Sequence, residues 1–386
     1  MSTVNRTAED GYVVRWYEER DLSGFLSLDR AVFGRNRSER WFRWKYVDNP
    51  YIDHVPVFVV EKDGEIVGTR PFLAFRMRTG SETVLALQPA DTMVHPEHRR
   101  RGLFTRMTKH AIDHYAGGEP AFFFNFPNQR SRPGYLKLGW QIVGDRKTYY
   151  RIQNPSVFFR DARRGKRIRS RFLDFATPFV RRLHGLNRSR TGRFRTNGPS
   201  DGSGTPTAHS VTRYSGVETS ILTELYRATP PDVVHALRDE TFYRWRFSSP
   251  AWERETYVAR ERGDGVAAIV VRTRTTSNGV TVTQLADVVP LVESESRSRA
   301  VARLLDRIVR EYAGSDLISV TQGDLPDELL REFGFISDAV PPLSWMSDFD
   351  CRLVALPLNC ENWSLGDKRL SQRSNWHISF GERDTA

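Results

Sequence analysis

The chain repeats itself. "WFRWKYVDNP" at 41–50 returns as "FYRWRFSSP" at 242–250, and "QPAD" at 88–91 returns as "QLAD" at 284–287. "HYAG" at 114–117 returns as "EYAG" at 311–314, and "YLKLGW" at 135–140 as "LLREFGF" at 329–335. The offsets are 201, 196, 197 and 195 residues, in the same order along the chain. Collinear self-similarity at a near-constant offset means two copies of one structural unit. It also accounts for the length, since 386 residues exceed what one hydrophobic core usually supports.

Both copies carry a mixed pattern. In the first, helical stretches are expected within 20–46. "VPVFVVEK" alternates as a strand, "DGE" reads as a hairpin turn, and "IVGTRPFLAFRMR" and "TVLALQPADTMV" read as further strands. Leu103, Met107, Ile112 and Tyr115 recur at helical spacing, so 103–116 is expected to be a helix. "AFFFNF" reads as a short buried strand, 128–138 as helical, and "WQIVGDRKTYYRI" as closing strand. The second copy gives a hairpin in "ETYVARERGDGVAAIVVRTRT" and a strand in "VTVTQLADVV". Its helix, "RSRAVARLLDRIVREYA", sets Ala300, Leu304, Ile308 and Tyr312 on one face. An antiparallel meander running into strand–helix–strand crossovers is an α+β layout with mixed sheets. The expected divisions are a first domain at 1–152, an insert at 153–209, a second domain at 210–340 and a C-terminal extension at 341–386.

Charge is concentrated in the insert. The chain's net charge is +11, yet 151–196 alone holds 14 Lys/Arg against 2 Asp/Glu, leaving the rest at −1. A whole-surface nucleic-acid binder is therefore not expected. Within the insert Ile168, Phe172, Phe175, Phe179 and Leu183 form one apolar stripe among arginines, interrupted by Pro178. Such a segment docks on its own protein or lies on an anionic membrane, and peripheral membrane contact through 160–195 is one expectation. "GPSDGSGTPT" (198–207) reads as linker. No apolar run approaches 18 residues and the opening "MSTVNRTAEDGYVVRW" has no apolar stretch, so a cytoplasmic location is expected, at most peripheral to a membrane. Cys351 and Cys360 fit neither a zinc spacing nor a disulfide framework. His110 and His114 stand i, i+4 with no third ligand in view, so no metal is expected.

The chemistry points to "HPEHRRRGLFTRM" (95–107), where a strand ending in "DTMVHP" meets three arginines, a glycine and a helix. The first four N–H groups of a helix lack partners, and its dipole adds partial positive charge there. Glycine removes the Cβ that would block a ligand from the backbone, and arginines add forked donors. Together these features describe a pyrophosphate cradle.

Val94-x-Pro96-x-x-Arg99-Arg100-x-Gly102 resembles the acetyl-CoA signature of the GCN5-related N-acetyltransferase (GNAT) superfamily, and "PGYLKLGW" resembles its later tyrosine motif. Phe104 stands where the common pattern has a small residue; a bulky residue there is similar to the Eis-like branch, which also builds tandem folds. The resemblance implies that backbone groups of Thr92, Met93 and Val94 pair with the pantetheine arm. It implies that Arg100, Arg101, Gly102, Leu103, Phe104 and Thr105 hold the diphosphate, and that Tyr135 protonates the departing thiolate. Asn125 and Asn128 are candidates for the pantetheine amides, and Asp91 for the base that deprotonates the acceptor. In the second copy Arg297 and Arg299 are followed by no glycine and Leu329 replaces the tyrosine, so the first copy is expected to be the catalyst and the second degenerate. The aromatic sets Trp41, Trp44, Tyr46 and Tyr243, Trp245, Phe247 recur in both copies, which favours core packing over ligand contact.

The expected activity is acetyl-CoA-dependent transfer of an acyl group to a primary amine of an amino sugar, a small amine or a protein lysine, in a cleft beside the second copy. Two alternatives stay open: a FemAB-like aminoacyl transferase, against which the intact cradle argues, and a non-catalytic protein that binds acyl-CoA or an anionic membrane, against which Tyr135 argues.

Overall fold

In a computed structural model, the described residues are 10–80, 82–154, 210–277, 279–341, 343–346, 352–359 and 363–384. The insert's apolar stripe and both cysteines lie outside them.

The first stretch runs β1 (Val13–Trp16), α1 (Leu22–Phe33), α2 (Glu39–Phe42, continued by a π turn to Val47), β2 (Val57–Lys62), β3 (Glu65–Thr79), β4 (Glu82–Pro89) and β5 (Met93–Val94). Then come α3 (Leu103–Tyr115), β6 (Phe122–Asn125), α4 (Arg132–Leu136), β7 (Gln141–Asp145) and β8 (Thr148–Ile152). After the insert follow β9 (Ser210–Ser215), α5 (Thr219–Ala228), β10 (His235–Ala236), α6 (Glu240–Arg246), β11 (Glu253–Glu261), β12 (Asp264–Thr275) and β13 (Thr281–Val289). Next come α7 (Glu295–Glu311), β14 (Leu317–Thr321), α8 (Asp327–Glu332), β15 (Ile336–Ser337) and β16 (Arg352–Pro357), with a short two-stranded ribbon at Ser364–Leu365 and Lys368–Arg369 beyond. The helical stretches expected within 20–46 are separated at Gly34, which ends α1 in the left-handed region, a conformation that costs glycine little.

The chain forms two compact units: 1–146 with 231–251 and 350–386, and 147–230 with 252–349. This corrects the linear division. The main path of the first unit's sheet runs β1-β2-β3-β4-β6-β16-β7, and the second runs β9-β11-β12-β13-β14-β8-β15. The two orders correspond strand for strand, so the repeat read from sequence is a repeat of fold. In each sheet, however, the sixth strand comes from the far half of the sequence. β16 pairs antiparallel with β6 and β7, and β8 pairs antiparallel with β14 and β15. The "C-terminal extension" therefore contributes an interior strand to the first unit, and β8 belongs to the second.

Helical periodicity explains the packing of α3. It buries Leu103, Met107, Ala111 and Tyr115 at steps of four, with Ala111 rather than Ile112 turned inward. Burying each of the larger side chains contributes about 1.5–3 kcal/mol. In the second unit α7 buries Ala300, Leu304 and Ile308 against a core that includes Tyr257, Ile269 and Val320. Trp44 and Trp245, one repeat apart, both lie in the first unit and are buried. Each indole N–H donates to the other's backbone carbonyl, at 2.8 and 2.9 Å. These aromatics are core. Among the described residues no helix is long and apolar enough to cross a membrane.

Candidate active site

The site begins with a break in the sheet. β3 pairs with β4 through Phe72–Pro89 and with β5 through Thr69–Met93. Between these pairs β3 advances three residues and its partner four, which defines a bulge at 90–92. Asp91, inside it, has φ of +37°. The parallel ladder of β4 with β6 runs through Ala86–Phe122 and Leu87–Phe123 and stops there. The expected single strand over 83–94 is thus two strands, because the extra residue turns the chain out of register. Met93 and Val94 pair with β3 on one side, and no strand among the described residues pairs on the other. An extended ligand can add itself to such an edge.

Immediately after β5 the chain turns into α3. Gly102 has φ of +72°, supplies no side-chain cap, and an added Cβ would meet nothing within 4 Å. Arg100 is also left-handed, with φ of +63°. Arg100, Arg101, Gly102 and Thr105 are exposed, Phe104 is half-buried and Leu103 anchors the turn in the core. The result is an open, uncapped helix start flanked by cations.

The second unit provides the comparison. There Ser294 caps α7 by accepting from the Arg297 amide at 3.2 Å. The buried Arg297 side chain donates to Pro290 O at 2.5 Å, to Glu293 at 2.6 Å and to Asp324 O at 2.8 Å. What could have been a cradle is filled by the protein itself.

Tyr135, on α4, is 3% exposed. Its hydroxyl accepts from Arg70 Nη1 at 2.8 Å and from Asn125 Nδ2 at 2.8 Å. Arg70 Nη1 also donates to Thr92 Oγ1 at 3.0 Å, tying the tyrosine to the bulge. Phe104 packs edge-on to Tyr135, with ring centroids 5.3 Å apart, and Gly134 leaves room for it: a Cβ there would stand 2.7 Å from the Phe104 ring. The bulky residue after the cradle is thus matched by a glycine on α4. Asn125 reaches Tyr135 rather than open space, and its Oδ1 accepts from the Phe126 amide at 2.7 Å. Asn128 is exposed, and its Oδ1 accepts from the Arg130 and Ser131 amides, both at 3.0 Å, which makes it the cap of the turn into α4.

Asp91 is committed elsewhere. Its side chain is 4% exposed; it pairs with Lys45, with Arg37 at 2.8 Å and Arg35 at 3.2 Å, and accepts from Tyr46 OH at 2.8 Å. Burial alone would push its carboxyl up. The charges of Lys45 and Arg37, with the bonds from Lys45 and Tyr46, reverse that and hold it well below the usual carboxylate range. Lys45 is fully buried and also pairs with Asp384 of the C-terminal tail. Further bonds hold the tail: among them, Gln88 Nε2 donates to Glu382 O at 2.8 Å, and Glu382 pairs with Arg238 at 2.8 Å, both side chains fully buried.

The i, i+4 histidines of α3 lie partly under aromatics. His110 packs on Phe58, and His114 on Trp16 and Phe58. Burial lowers both imidazoles' affinity for protons. Among the described residues no group of three His, Cys, Asp or Glu is placed to hold a metal.

Arg70, Lys45 and Glu382 escaped the sequence reading. Arg70 left a signal: it is a lone cation in "IVGTRPFLAF", a run otherwise suited to a strand buried on both faces. Glu382 left none, because its importance comes from where β16 returns the tail.

Residues 13–143 match the family model described as an acetyltransferase (GNAT) domain. No curated protein sequence matches the chain significantly. Among solved structures, a GCN5-related N-acetyltransferase from Anabaena variabilis is 11% identical, covers 90% of this chain and 73% of its own, and has a TM-score of 0.57. A probable N-acyltransferase from Enterococcus faecalis is 10% identical over 91% of this chain and 74% of its own, with a TM-score of 0.58. Saccharomyces cerevisiae N-myristoyltransferase, solved with myristoyl-CoA, is 9% identical over 92% of this chain and 81% of its own, with a TM-score of 0.57. At such identities the likeness is one of fold. With the family match spanning the bulge, the open helix start and Tyr135, the chain carries a GNAT acetyltransferase domain at its first repeat, in a molecule built of two GNAT-like folds.

Proposed function

We propose that the protein is an acyl-CoA-dependent N-acyltransferase, with acetyl-CoA as donor and a primary amine of a small molecule or protein as acceptor. The observation that carries this reading is the open start of α3, set against the same position in the second unit, which Ser294 and Arg297 close. The residues fit the donor. The amides at 103–105, with Arg100 and Arg101, suit a diphosphate, and the free edge of Met93–Val94 suits an extended amide-bearing arm. The thioester supplies an activated acyl carbon. Tyr135, beside Thr92 of the bulge, is the proton donor for the departing sulfur. Asp91, held by buried Lys45 and by Arg37, anchors the bulge and is not the base for which the sequence made it a candidate. Asn125 orients Tyr135, and Asn128 shapes α4.

The test is calorimetric binding of acetyl-CoA, together with thiol release from acetyl-CoA against a panel of amines that includes amino sugars, aminoglycosides and a lysine peptide. Longer acyl-CoAs run in parallel resolve the donor. Tyr135→Phe should keep acetyl-CoA binding and lower turnover by about 10²-fold or more. Absence of binding heat sinks the proposal. Binding without turnover on any amine, identical in wild type and Y135F, favours a non-catalytic acyl-CoA binder.

A further inference from the structure

The first unit buries a guanidinium with no counter-charge. Arg70 is 0% exposed, and no carboxylate among the described residues pairs with it. Its Nε and Nη2 are buried without a hydrogen-bond partner. Isolating a cation from water costs several kcal/mol unless something offsets it. Part of the offset is aromatic: the guanidinium carbon lies 5.4, 5.3 and 5.0 Å from the rings of Phe72, Phe104 and Tyr135. The remaining contacts are the two Nη1 bonds, to Tyr135 and Thr92. Elsewhere in the first unit, buried Arg238 has a carboxylate, Glu382. Arg70 has a phenol instead.

A phenol oxygen offers one proton and accepts at its lone pairs. Arg70 and Asn125 both donate to the Tyr135 oxygen, and no described residue accepts its proton. The hydroxyl is thereby fixed as a donor toward the only direction left. We propose that Arg70 is the positioning residue through which Tyr135 works: it turns the phenol proton toward the leaving sulfur and stabilises the phenolate left behind. This rests on the reading of Tyr135 as the acid. In the step, the acceptor amine nitrogen bonds to the acyl carbon, the C–S bond breaks and sulfur keeps the electron pair. Tyr135 gives its O–H proton to that sulfur, and the phenolate recovers a proton from solvent, to which the acceptor amine releases its own. The Nη1 bond to Thr92 makes the arrangement specific to the bulge, since it fixes the phenol relative to the strand on which the donor is held.

The experiment compares Arg70→Met and Arg70→Lys in wild-type and Tyr135→Phe backgrounds. The probe is acetyl-CoA with hydroxylamine, a small nucleophile that needs no acceptor pocket. Acetyl-CoA affinity is followed by calorimetry. The tyrosine Fermi doublet in Raman difference spectra against Y135F reports the hydrogen-bond state of Tyr135 without turnover. R70M should lower kcat by about 10²-fold with KM for acetyl-CoA changed less than about twofold, and R70K should recover about a tenth or more of the wild-type rate. In the Y135F background R70M should cost less than about twofold, because the two residues act as one. The Raman doublet should change in R70M and return toward wild type in R70K. A loss of equal size in both backgrounds, a loss carried by KM, or an unchanged doublet overturns the role of Arg70 alone. Equal rates in wild type and Y135F overturn the acid reading and this proposal with it. If R70M does not fold, Arg70→Gln, which keeps donors without charge, takes its place under the same criteria.

Discussion

Asp91→Asn separates a base from an anchor. The side chain is 4% exposed and meets Lys45, Arg37, Arg35 and Tyr46. Replacing the carboxylate by an amide takes one of two carboxylates from Lys45, which has no exposed surface of its own and keeps Asp384, and removes the 2.8 Å ion pair from Arg37. Breaking a buried pair by removing one partner costs about 3–5 kcal/mol. The first unit holds about 200 residues, for which each kcal/mol moves Tm by about 2–4 °C, so the expected fall is roughly 6–20 °C. Scanning calorimetry reads it directly. Lys45→Met added to D91N should recover part of the loss, because the orphaned cation is then gone. The pH dependence has a fixed sign. The folded carboxyl lies below its ordinary value of 3.8, so its stabilisation is present above that pH and fades as pH falls further. In D91N the acid limb of the stability curve should flatten. A variant with wild-type Tm but a turnover loss of 10²-fold or more and a displaced pH–rate profile would refute the anchor and restore the base.

Gly102→Ala should cost stability only through its left-handed backbone, about 1 kcal/mol or slightly more, because its Cβ meets nothing in the free protein. Its Kd for acetyl-CoA should nevertheless rise by about tenfold or more, as the methyl stands between ligand and amides; an unchanged Kd by calorimetry would disprove the cradle. Glu382→Gln tests the tail. Burial alone would raise this carboxyl, but Arg238, His377 and bonds from Ser379 bring it down to about 2, from 4.5. Its contribution, about 3 kcal/mol, is therefore full above pH 4.5 and lost as pH falls toward 2. Urea midpoints should differ between wild type and E382Q at pH 7 and converge near pH 2.

How much of this was legible depends on whether the information is local. The turn at Gly102, the helix behind it and the spacing to Tyr135 are short-range patterns, and the sequence carries them openly. The repeat was legible too, because each copy needs the same residues at the same strand ends. The exchange of β8 and β16 was not: an interior strand reads the same whichever sheet receives it. For the same reason "QPAD" and "QLAD" suggested a shared carboxylate but not its partners. Lys45 sits among aromatics, and only the folded first unit shows that it spans Asp91 and Asp384. The extra residue at 90–92 was hidden because a bulge has no composition of its own, and Asp91 takes φ of +37° without the glycine that would have announced it.

The two copies together show what keeps a helix start available for a ligand. Both have the frame, with a meander, a crossover helix and a strand behind it. The second satisfies its own donors: Ser294 caps, and Arg297 turns back onto Pro290, Glu293 and Asp324. That closure satisfies donors within the fold, so a ligand there would have to displace bonds already made. The first leaves its α3 amides without a side-chain cap and buries Arg70 without a counter-ion, both unfavourable for the free protein. Two copies on one backbone plan make the difference attributable to those residues rather than to topology. Stability alone favours a closed start like the second, so the uncapped amides after Gly102 and the unpaired guanidinium of Arg70 are the features that the proposed function uses.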